Sequence, residues 1–365
     1  LLFLPFSMWM MGQDVTLAGP FEQKAFNPST WLWFESPAKD WEEALPVGNG
    51  RLGAMVFGGY GEERIQINEE TYWTGGPYST VVEGGAEVLP EIQKHLFEAE
   101  PLKAHKLFGR HLMGYPVEQQ KYQSLANLHL FFENQEEVSA YKRWLNLETG
   151  ITSVEYRVGD IRYRRDIVSS APDQAILVHL TASSPGSISF RAQLRGCRNQ
   201  AHSNYATDYF RMDGVGESGL RIQGKSADYL GGEGALRYRA QLQAFHAGGS
   251  MEVDDVDLIV RGADEVTLVI VAATNFVNYK DVSGDQTSRV ERVLAELENR
   301  DAGSIINDAV EDYKSYFDRV TLNLPDTETS YLPTDIRMES IQNTPDPQLT
   351  ALSYNFARYL LISTS

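Results

Sequence analysis

The feature that most constrains this chain is a run of strand-forming segments from residue 122 to 276 with no helical spacing inside it. Strands that follow one another through short turns, with no crossover helix, pair as antiparallel neighbours, so the run predicts a large antiparallel sandwich. Its clearest unit is 152–158 and 161–168 around Gly159-Asp160, a two-residue loop with glycine first, which suits a tight hairpin turn. In that register Val158 faces Ile161 and Tyr156 faces Tyr163, while Glu155 faces Arg164 on the opposite side. Arg157 then falls opposite Arg162, a like-charge pair that asks for an acid from a neighbouring strand. Further strands are expected at 174–182, 187–194, 220–224, 236–247, 251–261 and 266–274.

The flanks differ. Residues 31–82 are rich in glycine and aromatics and read as short strands with tight turns. Residues 87–113 have helical spacing broken at Pro101, a helical insertion between strands. After Asp285 the pattern turns helical: 286–299 carries Val290, Val293, Leu294 and Leu297 on one face, and 305–320 carries Ile306, Val310, Tyr313 and Phe317. A short strand is expected at 321–325, followed by a polar connector. The last segment, 346–365, sets Leu349, Leu352, Phe356, Tyr359 and Leu360 at helical spacing behind Asp346, an acidic N-cap. Its apolar face, with Leu352, Phe356 and Leu360, is expected to lie open for a partner beyond this sequence. No period of 20–50 residues repeats, which argues against a solenoid or propeller.

Charge narrows the partners. Asp and Glu number 50 against 32 Lys and Arg, a net charge of −18, so a phosphate backbone is not an expected ligand. A neutral sugar is indifferent to that field. The 18 Tyr and 6 Trp suit sugar stacking and a sheet core alike. Residues 1–12 form an apolar run too short to span a bilayer, read as the remnant of a signal peptide with cleavage near Gly12–Gln13. The chain is therefore expected to be secreted or periplasmic, with no membrane partner. One cysteine, Cys197, leaves no internal disulfide and reads as a small half-buried residue.

Motifs that carry chemistry are scarce. Gly48-Asn49-Gly50-Arg51-Leu52-Gly53 fits G-x-G-x-x-G, but Pro46 precedes it and a strand follows, so its glycines serve a tight turn rather than a nucleotide. The seven histidines (95, 105, 111, 129, 179, 202, 246) offer no metal-ligand spacing, and no metal or cofactor is expected. Gly216-Glu217-Ser218-Gly219 has the wrong spacing for a nucleophile elbow. Glu42-Glu43, Glu69-Glu70 and Asp254-Asp255 are sequence neighbours whose side chains point to opposite faces of a strand, so none makes a catalytic pair.

Read in order, Trp33-Phe34-Glu35-Ser36-Pro37-Ala38 and Trp41-Glu42-Glu43-Ala44-Leu45-Pro46-Val47-Gly48-Asn49-Gly50-Arg51-Leu52-Gly53 resemble the opening of the family 95 glycoside hydrolases, the α-L-fucosidases. Asn68-Glu69-Glu70-Thr71-Tyr72-Trp73-Thr74-Gly75-Gly76-Pro77, Leu145-Asn146-Leu147-Glu148-Thr149-Gly150, Leu332-Pro333-Thr334-Asp335 and the segment 354–364 are similar to later blocks of that family. The resemblance implies a mainly β fold: an N-terminal β-super-sandwich over 13–280 (helical insertion about 87–113), a helical linker over 281–345, and at 346–365 the first helix of a truncated (α/α)6 catalytic barrel. It implies inverting hydrolysis of terminal α-L-fucosyl residues of a fucosylated glycan by a Glu acid and an Asp base in the chain's own downstream barrel, beyond Ser365. No catalytic residue is therefore assigned to this chain. Trp73 is the candidate for the substrate rim, because an indole stacks on a sugar face. A carbohydrate-binding sandwich and the front of a disaccharide phosphorylase are the alternatives.

Overall fold

A computed structural model describes residues 26–114, 119–133, 137–196 and 210–365. The apolar run 1–12, Cys197 and His202 lie outside the described residues. In chain order the first strands are β1 (Trp31–Phe34), β2 (Leu45–Gly48), β3 (Leu52–Val56), β4 (Glu62–Glu69), β5 (Ala126–Phe132) and β6 (Val138–Asn146). Then follow β7 (Ile151–Val158), β8 (Ile161–Ser170), β9 (Ala175–Ala182), β10 (Ile188–Arg195), β11 (Phe210–Val215) and β12 (Gly219–Lys225). The last four are β13 (Arg237–Ala247), β14 (Ser250–Asp254), β15 (Asp257–Ala263) and β16 (Glu265–Thr274). Six helices interrupt or follow them: α1 (Gly85–Phe97), α2 (Pro101–His111), α3 (Gln286–Leu297), α4 (Ala302–Phe317), α5 (Thr334–Ser340) and α6 (Pro347–Ser363).

The strands form two sheets, nine-stranded β1-β6-β7-β8-β9-β16-β13-β12-β11 and seven-stranded β14-β15-β10-β5-β4-β3-β2. All paired neighbours run antiparallel. Their facing sides make the main core, with Ile65, Ile67 and Leu128 of the smaller sheet against Val178, Leu268 and Ile270 of the larger. The larger sheet is covered on its other side too. There Leu177, Val269 and Val271 pack against Val290 and Leu297 of α3 and Ile305 and Val310 of α4. Burial on both sides explains why β16 is apolar at nearly every position rather than at alternate ones. Each of its buried aliphatics contributes about 1.5–3 kcal/mol.

The hairpin of β7 and β8 has the expected register, Tyr156 opposite Tyr163 and Glu155 opposite Arg164. The tyrosine rings stack with centroids 5.5 Å apart, and Glu155 lies 3.9 Å from Arg164. Arg157 and Arg162 do face each other, yet both are exposed, so water screens them and no neighbouring acid is needed. The expected single strand at 251–261 is instead the hairpin of β14 and β15, turning at Asp255 with φ of +54°. An aspartate tolerates the left-handed region, so this turn carries no glycine to announce it. Residues 321–325 form no strand, and β11 lies where none was read.

The expectation of an open face on the last helix is corrected most. Leu349, Leu352 and Tyr359 of α6 are buried against Leu45, Leu145, Leu147 and Phe317, and Phe356 packs beside them. Polar contacts fix the seat: the Tyr359 hydroxyl donates to Pro46 O at 2.8 Å, and Asn355 Nδ2 donates to Ser29 O at 2.9 Å. Tyr354, Leu360 and Leu361 are the large apolar side chains of the helix that remain exposed. The helix folds back because Leu45 of the edge strand β2 and Leu145 and Leu147 at the end of β6 present apolar surface that needs a cover.

At its start, Asp346 caps α6 by accepting from the Leu349 amide at 3.1 Å and takes Arg337 Nε at 2.8 Å and the Ser330 hydroxyl at 3.0 Å. Burial works to raise the Asp346 carboxyl, but Arg337, Ser330 and the Leu349 amide outweigh it and hold it below the ordinary range. Its stabilising effect is therefore present above the unfolded value of about 3.9 and is lost as pH falls through the lower folded value. Asp346→Asn is expected to cost about 3–5 kcal/mol, because it leaves Arg337 buried without its counter-charge. Urea titration at pH 7 reads this as a lower midpoint; an unchanged midpoint would remove the pair from the account. Deleting the residues after Pro325 is expected to lower solubility by uncovering Leu45, Leu145 and Leu147.

Candidate functional site

The turn between β2 and β3 is built for close approach. Gly50 has φ of +84°, a conformation that glycine adopts without strain. Asn49 Oδ1 accepts from the Leu52 amide at 2.7 Å, and Asn49 Nδ2 donates to Ser170 O at 2.8 Å, tying this turn to the end of β8. The Gly50 amide donates to Ser363 O at 2.9 Å and so satisfies a carbonyl at the C-terminus of α6. A Cβ on Gly48 would stand 2.5 Å from that same oxygen. The glycines of 48–53 thus serve a turn, as expected, and beyond that they give a helix end room to dock.

Arg51 reaches from this turn across the end of the sandwich. Its Nε donates to Gln174 Oε1 at 2.7 Å and its Nη1 to Ala272 O at 2.5 Å, with Glu69 Oε1 3.6 Å away. Glu69 closes β4 with its side chain turned inward. Its Oε2 accepts from the Thr71 amide at 2.8 Å and the Thr71 hydroxyl at 2.7 Å. Burial pushes the Glu69 carboxyl up, opposed by Thr71 and Arg51. Glu70 is exposed, so the two acids point apart as the strand period requires. Glu42 and Glu43 are both exposed on a single 3-10 turn, and Asp254-Asp255 lies in the β14–β15 turn. None of the three pairs forms a dyad across a cleft.

Trp73 follows on the same block, half-buried and held in place. It bridges to Tyr122, their rings meeting edge to face at 5.2 Å and 69°, and its Nε1 donates to Glu70 O at 2.9 Å. The Tyr122 hydroxyl donates to Glu69 O at 3.1 Å, and burial, with Glu69 and Glu70 behind it, pushes that phenol up to about 12. Gly75 and Gly76 let the block close on the 226–235 loop: the Gly75 amide donates to Ala227 O at 2.6 Å, and a Cβ on Gly76 would meet that of Ala235 at 2.6 Å. With its N–H already engaged, the Trp73 indole has only its ring faces to offer a ligand.

Besides Arg337 with Asp346, two acid–base pairs on β4 escaped the reading of the sequence, Glu69 with Arg51 and Glu63 with Arg165, the latter at 3.0 Å. The signal was present. In β4 the inward positions are Glu63, Ile65, Ile67 and Glu69, so both acids keep the phase of two core isoleucines. Among the described residues, His95, Glu98 and Glu100 form one group close enough to hold a metal ion. They lie at the surface of the α1–α2 insertion, where Glu100 already pairs with His95 at 2.8 Å and Lys103 at 2.7 Å. No described helix is long and apolar enough to cross a membrane.

Residues 32–279 match the family model described as glycosyl hydrolase family 65, N-terminal domain, and residues 301–365 match that of the glycosyl hydrolase family 95 catalytic domain. Among curated proteins the chain is 28% identical over 356 residues to Alpha-L-fucosidase 2 of Arabidopsis thaliana, covering 92% of this chain and 42% of the relative. It is likewise 28% identical to the Probable alpha-fucosidase A of Aspergillus oryzae, covering 92% of this chain and 47% of the relative. The chain thus spans less than half the length of these relatives. Among solved structures it is similar to a putative kojibiose phosphorylase from the human microbiome, with a TM-score of 0.53, 9% identity, and coverage of 92% of this chain and 42% of the other. That likeness shows the fold alone.

The docking turn yields a direct test. Gly50→Ala, strained at a φ of +84°, and Gly48→Ala, blocked by Ser363 O, are expected to loosen the end of α6. Amides of residues 359–364 should exchange hydrogen faster in both variants while those of β16 keep their protection. Equal protection in variant and parent would show that the turn does not hold the helix.

Proposed function

The chain belongs to the glycosyl hydrolases, as the N-terminal part of a family 95 enzyme built on a family 65-type sandwich, and from that premise we propose that the whole protein hydrolyses terminal α-L-fucosyl residues with inversion. The observation that carries the reading is a shared core. α4 and α6 lie within the stretch matching the family 95 catalytic domain, and both are buried against the sandwich. A free-standing binding module would have no reason to embed them. The curated relatives named as fucosidases support the substrate class, since each alignment covers at least 92% of this chain.

In this proposal the work is divided. Inverting hydrolysis needs a carboxylic acid and a carboxylate about 6.5–9.5 Å apart on either side of the glycosidic bond, with room for water. Glu63 and Glu69 are buried and bound to Arg165 and Arg51, so neither can reach a substrate. The resemblance to family 95, not elimination, is what assigns the acid and base in this proposal to a barrel downstream of α6. The sandwich braces that barrel at the Gly50 turn and offers Trp73 at the rim as a stacking face. A phosphorylase reading has only a likeness of fold behind it.

The protein of residues 1–365 is expected to release nothing from a chromogenic α-L-fucoside, and the full-length enzyme to release β-L-fucose first, seen by proton NMR. Turnover by the shorter protein would move the active site into the sandwich, and initial release of the α anomer would overturn inversion. In the full-length enzyme Trp73→Ala should raise KM about two- to tenfold with kcat nearly unchanged, the weight of one stacking contact. An unchanged KM would take Trp73 off the rim.

A further inference from the structure

The helical insertion between β4 and β5 is held mainly by itself. α1 and α2 lie against each other, so close that a Cβ on Gly85 would meet His111 O at 2.7 Å. The side chains they bury are Ile92 of α1 and Ala104 of α2. Leu89, Leu96 and Phe108 are 44%, 55% and 45% exposed. Leu89 and Leu96 stand three and four residues from Ile92, and Phe108 stands four from Ala104, so all three border the seam between the helices. Glu87, Glu91, Lys103 and Arg110 fall on other sides of their helices, which leaves the stripe beside the seam without a formal charge. Helices of 13 and 11 residues are marginal in water without tertiary packing. An uncharged stripe of leucine and phenylalanine on such a pair is a docking face.

The root of the hairpin narrows what can reach that face. The insertion leaves and rejoins the sandwich at the Trp73–Tyr122 bridge, with Thr80 and Gly114 side by side just beyond it. The C-terminus of α6 reaches the same end of the sandwich. There the Gly50 amide holds Ser363 O at 2.9 Å, and Leu52, just past that turn, pairs with Glu69 at the end of β4. Only β4 separates β3 from β5 in the sheet, so the two points stand about 10 Å apart, two strand spacings.

We propose that this face of α1 and α2 docks onto the part of the polypeptide that follows residue 365, an inference that rests on the reading above that the whole protein continues into a catalytic barrel. The curated relatives support a long continuation, since this chain covers less than half of each. Area separates this occupant from a second copy. Two helices about 20 Å long and about 10 Å apart present roughly 400 Å². That is half of the ~800 Å² per partner that a stable complex of separate molecules buries. A net charge of −18 on each copy adds repulsion. A tethered partner needs less area, because its own chain holds it at an effective concentration in the millimolar range. Docked in this way, the hairpin clasps the downstream domain to the block that holds Trp73.

Hydrogen exchange in the full-length enzyme and in the protein of residues 1–365 tests it. Amides of residues 86–110 are expected to exchange about tenfold more slowly in the full-length enzyme, and equally so at two protein concentrations. Leu89→Ser with Leu96→Ser should cancel that slowing and lower the thermal midpoint of the full-length enzyme by about 2–4 °C. The midpoint of the shorter protein should not move, because there both side chains already stand in water. Glu91→Gln, away from the stripe, should change neither readout. The proposal fails if the two proteins exchange alike. It fails if the slowing grows with concentration, which makes a second copy the occupant. It fails too if the double variant lowers both midpoints equally, because the leucines then serve the hairpin alone. Neither readout uses a substrate, so docking is decided independently of fucoside hydrolysis.

Discussion

The nine-stranded sheet carries apolar side chains on both faces, and covering both is the requirement on which the rest of the structure depends. The smaller sheet covers one face, and α3 and α4 cover the other through Val290, Leu297, Ile305 and Val310. Each layer of aliphatic side chains would otherwise stand in water at about 25 cal/mol for every Å² exposed. The helices after Asp285 are therefore no spacer between two independent bodies. Their N-caps, Asp285 on Thr287 and Ser288 and Asp301 on Ser304, start them in register with the sheet they must cover.

β4 shows how the sandwich ends are held. Its inward face runs Glu63, Ile65, Ile67, Glu69, with an acid at each end of a hydrophobic middle. The two acids stand roughly 20 Å apart, and each meets an arginine from a different element. Burial pushes both carboxyls up, so neither pair is a cheap source of stability. What the pairs supply is geometry: Arg51 binds Gln174 and Ala272, and Arg165 binds Gly59, so each joins turns that the core alone would leave loose.

Much of this was legible in the sequence, and the failures have physical causes. The β7–β8 register followed from one glycine and from alternation, because a half-buried hairpin has only one phase that hides its tyrosines. The β14–β15 turn was missed because Asp255 does the work of a glycine. The cover over α6 was missed because Leu45, Leu145 and Leu147 come from strands 100 residues apart, and no local pattern shows that they meet. Trp73 could be named from its block, but its clamp by Tyr122 and Glu70 is a tertiary fact. The acids of β4 were readable in principle, since they keep phase with isoleucines.

The boundary between sandwich and catalytic stretch is therefore a boundary of sequence only. The family 95 match begins at residue 301, one residue before α4, yet Ile305, Ala309 and Val310 of that helix share a core with Val168, Leu177 and Val269. Farther along, Phe317 and Tyr359 share another with Leu45 and Leu145. A helix that belongs to two cores transmits position between them, because close-packed side chains leave little room for one layer to shift alone. The block that holds Trp73 and the seat of α6 at Gly50 then depend on the same packing, and through the Arg51 carbonyl, which accepts from the Glu70 amide at 3.0 Å, on the same turn. The stretch that matches the family 95 catalytic domain thus takes its orientation from the sheet beneath it.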